Sequence, residues 1–129
     1  MKVVCICDAG VPEMLMQHMK KLPGCGVTLY TEKTLTDIKS LTTCERTAEL
    51  RGAEACPVSA EMLEAVREAE ILVTHVAPVN RAVLDAAPNV KIVGVLRTGT
   101  ENVNLDLCRE RGIACLLYTS PSPRDRSLS

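Results

Sequence analysis

The stretch Arg97-Thr98-Gly99-Thr100-Glu101-Asn102 sets a guanidinium and a glycine in one turn. Gly99 can take backbone angles closed to other residues. Successive N–H groups of such a turn can converge on one anion, with Arg97 adding charge. The same residues also read as an ordinary strand-to-helix turn in which Gly99 only permits the bend. His75 ends the apolar run "EILVTH", where an imidazole can bind a ligand oxygen or simply face water. Asp8 ends an earlier apolar run. It has no acidic neighbour, so no carboxylate cluster of the kind that binds magnesium forms there. Glu13 opens a helix, where the helix dipole favours a carboxylate. His18 falls among methionines in that helix, a half-exposed structural position. There is no GxGxxG, no Cys/His pair at zinc spacing and no evident Ser/His/Asp or Cys/His arrangement.

These residues need elements to position them. "KVVCIC" (2–7) is a continuous β-rich run, the mark of a strand covered on both faces. Its cysteines, Cys5 and Cys7, are read as pointing to opposite faces. Pro12 suits the start of a helix carrying Leu15, Met19 and Leu22, which Pro23-Gly24 stops. "GVTLY" (26–30) is a second strand. Residues 31–55, rich in Thr and charge, read as a long loop with at most a short helix. Ser59 caps a helix with the stripe Met62, Leu63, Val66 and Ala69. "EILVTH" is a third strand. Asn80 caps a helix carrying Val83, Leu84 and Ala87. "VKIVGVL" is a fourth strand, and Asn104 caps a helix that ends at Gly112, followed by a fifth strand at "IAC". Strands alternating with helices, joined by right-handed crossovers, give a parallel sheet with helices on both faces. Ligands then sit beyond the carboxyl ends of the strands. The loops 8–11, 74–79 and 97–102 lie there.

The composition narrows the partners. The chain has 129 residues, enough for one domain, and 47% of them are hydrophobic. The net charge is −1 and no basic block occurs, which argues against nucleic-acid or membrane-surface binding. Tyr30 and Tyr118 are the only aromatic residues, so no base-stacking platform exists. Seven scattered cysteines read as reduced, buried thiols in a cytoplasmic protein. "MKVVCICDAG" is too short an apolar run for a signal peptide.

"AEILVTHVAPVNRAVLDAAPNVKIVGVLRTGTENVNLDLCRERGIA" (69–114), together with "MKVV" at the start, resembles the amino-terminal part of the D-isomer-specific 2-hydroxyacid dehydrogenases, the family that includes phosphoglycerate dehydrogenase. The resemblance rests on the strand ending "LVTH", the helix and strand "VLDAAPNVKIVG", the Gly turn with "ENVN", and the helix closing on "RGI". It implies a flavodoxin-like domain that binds a small 2-hydroxy or 2-oxo acid, truncated before an NAD-binding Rossmann domain, in a homodimeric parent using NAD or NADP. It places the substrate carboxylate against the turn at Thr98 and Gly99, with Arg97 where the family has glycine. His75 and Val76 border the substrate, and Thr98 approaches the nicotinamide. Asn102 matches the family's Asn beside the turn, while Glu101 and Asn104 stand for two more usual Asp residues. The family's catalytic Arg, its His–Glu pair and its fingerprint glycines all lie downstream of the matched region, so no catalytic residue and no metal ligand is expected here.

The remainder, "CLLYTSPSPRDRSLS" (115–129), reads as in-frame translation of a transposase adapter used in sequencing libraries. The expected organisation is therefore an incomplete substrate-binding domain, 1–114, and a non-native tail, 115–129, produced by read-through. As written, the fragment is expected to be inactive and to bind no NAD tightly. A non-catalytic, NAD-responsive regulator on the same scaffold is the alternative, as is a stand-alone small-ligand module if the tail is genuine.

Overall fold

The apolar run at the amino terminus forms β1 (Lys2–Cys7) in the computed structural model, which describes residues 1–96 and 101–117. β1 pairs on one side with β2 (Gly26–Thr31) and on the other with β3 (Ile71–Thr74). β4 (Ile92–Val95) and β5 (Ala114–Leu117) extend the sheet. Every pairing is parallel and the order is β2-β1-β3-β4-β5, the flavodoxin-like order. All carboxyl ends therefore share one edge.

The helices are α1 (Glu13–Met16), α2 (Ile38–Arg51), α3 (Ala60–Ala65), α4 (Arg81–Ala86) and α5 (Leu105–Glu110). Side-chain caps start four of them. Asp37, Ser59, Asn80 and Asn104 accept the N–H of Ser40, Met62, Val83 and Leu107 respectively. Gly112, at φ 69°, ends α5 in the left-handed conformation that suits glycine.

The chain leaves β1 in one direction to reach β2, then crosses back to β3, β4 and β5. Right-handed crossovers in opposite directions put helices on opposite faces. α1 and the 3₁₀ turn Gln17–Lys21 cover one face, with Met16 and Met19 against Val3, Cys5 and Cys7. α2 to α5 cover the other. There Leu41, Met62, Val66, Leu84 and Leu107 close over Val4, Ile6, Leu72, Val93 and Val95.

Four expectations need correction. Residues 31–55 are not a long loop: they hold the fourteen-residue α2, flanked by 3₁₀ turns at Lys33–Leu35 and Ala53–Ala55. The first helix does not bury Leu15, Met19 and Leu22 as a stripe. It tightens to 3₁₀ after Met16, which rotates the face, so Met16 is buried while Leu15 and Leu22 are exposed. Cys5 and Cys7 share a face, as the two-residue repeat of a strand requires. His18 is exposed, its Nδ1 2.9 Å from the Leu15 carbonyl oxygen.

Candidate functional site

The carboxyl edge between β1 and β3 carries a buried carboxylate and a histidine in contact. The register Ile6↔Thr74 brings the residues just after each strand side by side. Asp8 lies in the loop after β1, its side chain 1% exposed, and His75 follows β3 at 20%. His75 Nδ1 is 3.1 Å from both Asp8 oxygens. Asp8 Oδ1 also accepts the N–H groups of Gly10 (2.8 Å) and Val11 (2.9 Å), and Oδ2 accepts that of Val76 (3.3 Å). Backbone donors on this scale satisfy a buried carboxylate that would otherwise be costly. Val76 itself points inward. Its side chain is fully buried in the main core, its N–H goes to Asp8, and its carbonyl faces the Cys44 thiol.

The loop after β3 is stitched to the segment before α5. Val79 N–H donates to the Asn102 carbonyl (2.8 Å), Asn104 N–H to the Val79 carbonyl (2.9 Å), and Asn102 Nδ2 to the Ala77 carbonyl (2.9 Å). Thr74 Oγ1 donates to the same Ala77 carbonyl at 2.9 Å. Asn102 is fully buried, and among the described residues its Oδ1 has no hydrogen-bond partner. His75, Val76 and Asn102 are thus held on one frame. Arg97, Thr98 and Gly99 lie outside the described residues.

A second buried carboxylate follows β2. Glu32, 2% exposed, has both oxygens 2.9 Å from Ser59 Oγ and receives a longer bond from the Tyr30 hydroxyl. Ser59 thereby caps α3 and also donates to Glu32. Burial, ahead of the neighbouring Glu32 charge, pushes the Tyr30 hydroxyl up, against a lowering bond from Ser59. A cavity of about 370 Å³ opens beside Glu32, with Lys39, Thr43, Cys44 and Pro78 in its wall. It does not reach Asp8 or His75. Glu13 accepts a hydrogen bond from the Thr31 hydroxyl, tying α1 to β2.

All seven cysteines are free thiols. Burial pushes Cys5 to about 11 and Cys7 to about 12, the latter helped by the nearby charges of Cys5, Glu13 and Asp8. Burial, reinforced by Cys115, takes Cys108 to about 12. None of these three is a thiolate nucleophile at neutral pH. Among the described residues no cluster of three His, Cys, Asp or Glu could hold a metal ion, and no helix is long and apolar enough to cross a membrane.

The parallel sheet and its order define an α/β domain of flavodoxin-like topology. The family model "D-isomer specific 2-hydroxyacid dehydrogenase, catalytic domain" matches residues 4–125, and the chain belongs to that family. A hydroxypyruvate reductase of Blautia hydrogenotrophica is 36% identical over 53 residues, which are 41% of this chain and 16% of that protein. The NAD+-bound 3-phosphoglycerate dehydrogenase of Entamoeba histolytica superposes with a TM-score of 0.64 at 14% identity, over 91% of this chain and 32% of that one. The phosphoglycerate oxidoreductase of Vibrio cholerae gives 0.61 at 17% identity, over 99% of this chain and 34% of the other. The two superpositions speak for the fold alone. The chain spans about a third of the length of these solved relatives and a smaller share of the reductase.

Sequence reasoning singled out His75 and Asn102 but missed the Asp8–His75 pair and the Glu32–Ser59 pair. Both carboxylates stand directly after a parallel strand, which was the available signal.

Proposed function

We propose that this chain is the substrate-side part of an NAD-dependent oxidoreductase acting on the CH–OH group of a small 2-hydroxy acid, in a cytoplasmic, homodimeric parent. The observation that carries this reading is the shared frame of His75, Val76 and Asn102 at the carboxyl edge of a chain from this dehydrogenase family. In the proposal, Thr98 and Gly99 offer N–H groups to the substrate carboxylate, Arg97 adds charge, and His75 faces the substrate. Val76 contributes through loop shape, since its side chain sits in the core.

The first strand-to-helix turn does not fit a dinucleotide's pyrophosphate. The N–H groups of Gly10 and Val11, in the first strand-to-helix turn, are already donated to the Asp8 carboxylate, and α1 has only four residues. A pyrophosphate would meet a negative side chain there instead of open donors. NAD, or NADP, is therefore assigned to a part of the parent beyond this chain, as are the catalytic Arg and the His–Glu pair. Residues 115–129 are taken as adapter read-through. Cys115, Leu116 and Leu117 nonetheless complete β5.

Two experiments test this. A long sequencing read past the codon for Ala114 should continue into a GxGxxG and later Arg, Glu and His, and the full product should consume NADH with hydroxypyruvate. The 129-residue chain alone should not. A genomic frame that runs through Ser129, or robust NADH turnover by the short chain, would overturn the proposal. The first outcome would favour a stand-alone ligand module.

A further inference from the structure

We propose that Cys44 and Cys56 form a thiol-exchange site: a pair that a low-molecular-weight disulfide, reaching Cys44 through the cavity beside Glu32, converts to an internal disulfide.

The fold brings the two thiols together. Cys44 lies in the middle of α2, and Cys56 follows the 3₁₀ turn Ala53–Ala55. Gly52, at φ 88°, ends α2 and lets that turn pack back on the helix. Cys56 Sγ stands 3.9 Å from the Cys44 carbonyl oxygen and 3.8 Å from that of Gly52. The two side chains also touch. Burial pushes the Cys56 thiol up, and a hydrogen bond with the Cys44 side chain pulls it part of the way back. Cys44 has one proton, which serves either the Cys56 sulfur or the Val76 carbonyl 3.8 Å away.

Their surroundings give the two thiols unequal roles. Cys56 is 4% exposed, and its carbonyl accepts the Asn80 side-chain amide. Cys44 is half-buried and lines the cavity of about 370 Å³ together with Leu35, Lys39, Thr43 and Pro57. Neither Asp8 nor His75 lines that cavity. A small reagent therefore meets Cys44 first. The Cys44 thiolate attacks one sulfur of the incoming disulfide, forms a mixed disulfide and expels one thiolate. The Cys56 thiolate then attacks the Cys44 sulfur, closes the internal disulfide and expels the second thiolate. The protein gives up two protons and two electrons. The reagent takes up both and leaves as two thiols.

The test equilibrates the 129-residue chain with mixtures of oxidised and reduced glutathione, then quenches it and maps it by mass. Trypsin cuts after Lys39, Arg46, Arg51 and Arg67, so Cys44 and Cys56 fall on separate peptides, 40–46 and 52–67. The expected product is these two peptides joined by a disulfide. The folded chain already holds the thiols in contact, whereas the unfolded chain must close a loop to bring them together. The equilibrium constant for the link should therefore be about ten- to a hundredfold larger in buffer than in denaturing urea. Two variants report the order of events. Cys56→Ser should trap a glutathione adduct on Cys44, while Cys44→Ser should leave Cys56 unmodified until the chain is unfolded.

A link no more favoured in buffer than in urea would overturn the proposal. So would a stable glutathione adduct on Cys44 in the unsubstituted chain, or a link between other cysteines that forms first. An adduct on Cys56 in folded Cys44→Ser would overturn the assignment of Cys44 as the entry thiol. If neither variant folds, the comparison of buffer with urea on the unsubstituted chain decides alone.

Discussion

On one face of the sheet α2 to α5 close over Leu72, Val93 and Val95, and none of the three has exposed surface. On the other, α1 and its 3₁₀ turn cover Val3, Cys5 and Cys7, and the cover thins beyond them. A single row across this second face shows the gradient. Cys5 pairs with Val73, Val73 with Gly94, and Gly94 with Leu116. Cys5 is 1% exposed, Val73 8% and Leu116 58%. The strands are similarly apolar throughout, so the difference comes from how far each residue lies from a covering helix. Burial here follows the topology, which sends one crossover to this face and the rest to the other.

The comparison predicts unequal costs. Leu72→Ala, on the thick face, should lose about 2–5 kcal/mol in urea unfolding, because the packed helices cannot collapse into the space. Asn80→Ala removes the α4 cap and two bonds to the Ala53 and Cys56 carbonyls, and should cost about 1–3 kcal/mol. Leu116→Ser, on the open end of the thin face, should change stability by no more than about 0.5 kcal/mol while lowering aggregation in light scattering. A loss as large as that of Leu72→Ala would mean that something covers Leu116 in solution. The smallest effect is expected at the thiols beneath α1. Cys5 and Cys7, pushed to about 11 and about 12, stay protonated at pH 8 and should resist iodoacetamide, as should Cys108. Their labelling should appear only when the chain is unfolded, and mass mapping of the labelled peptides checks it.

Much of the fold was legible because its signals are local. β1 is a run of Val, Cys and Ile with no polar interruption after Lys2. Ser59, Asn80 and Asn104 each announce a helix, and each side chain accepts the N–H three residues on. α2 was illegible because among its residues only Leu41 and Ala48 are buried, two turns apart. That stripe is too narrow to stand out among Thr and charged residues. Its one local signal was Asp37, whose carboxylate caps the helix through Ser40.

The candidate site was legible only as separate residues. His75 drew attention by type and position, and Asn102 through the family resemblance. Asp8 looked isolated because its partner lies 67 residues away in the chain.

The sequence by itself determined the strands, the caps and the family, since these depend on residue type and short spacing. Only the tertiary structure decided that β1 and β3 are neighbours in parallel register. Strand order depends on crossovers and the burial of whole faces, which no short window of sequence contains. That adjacency sets Asp8 against His75, turns a solvated loop histidine into an oriented one, and gives the edge a defined hydrogen-bonding direction.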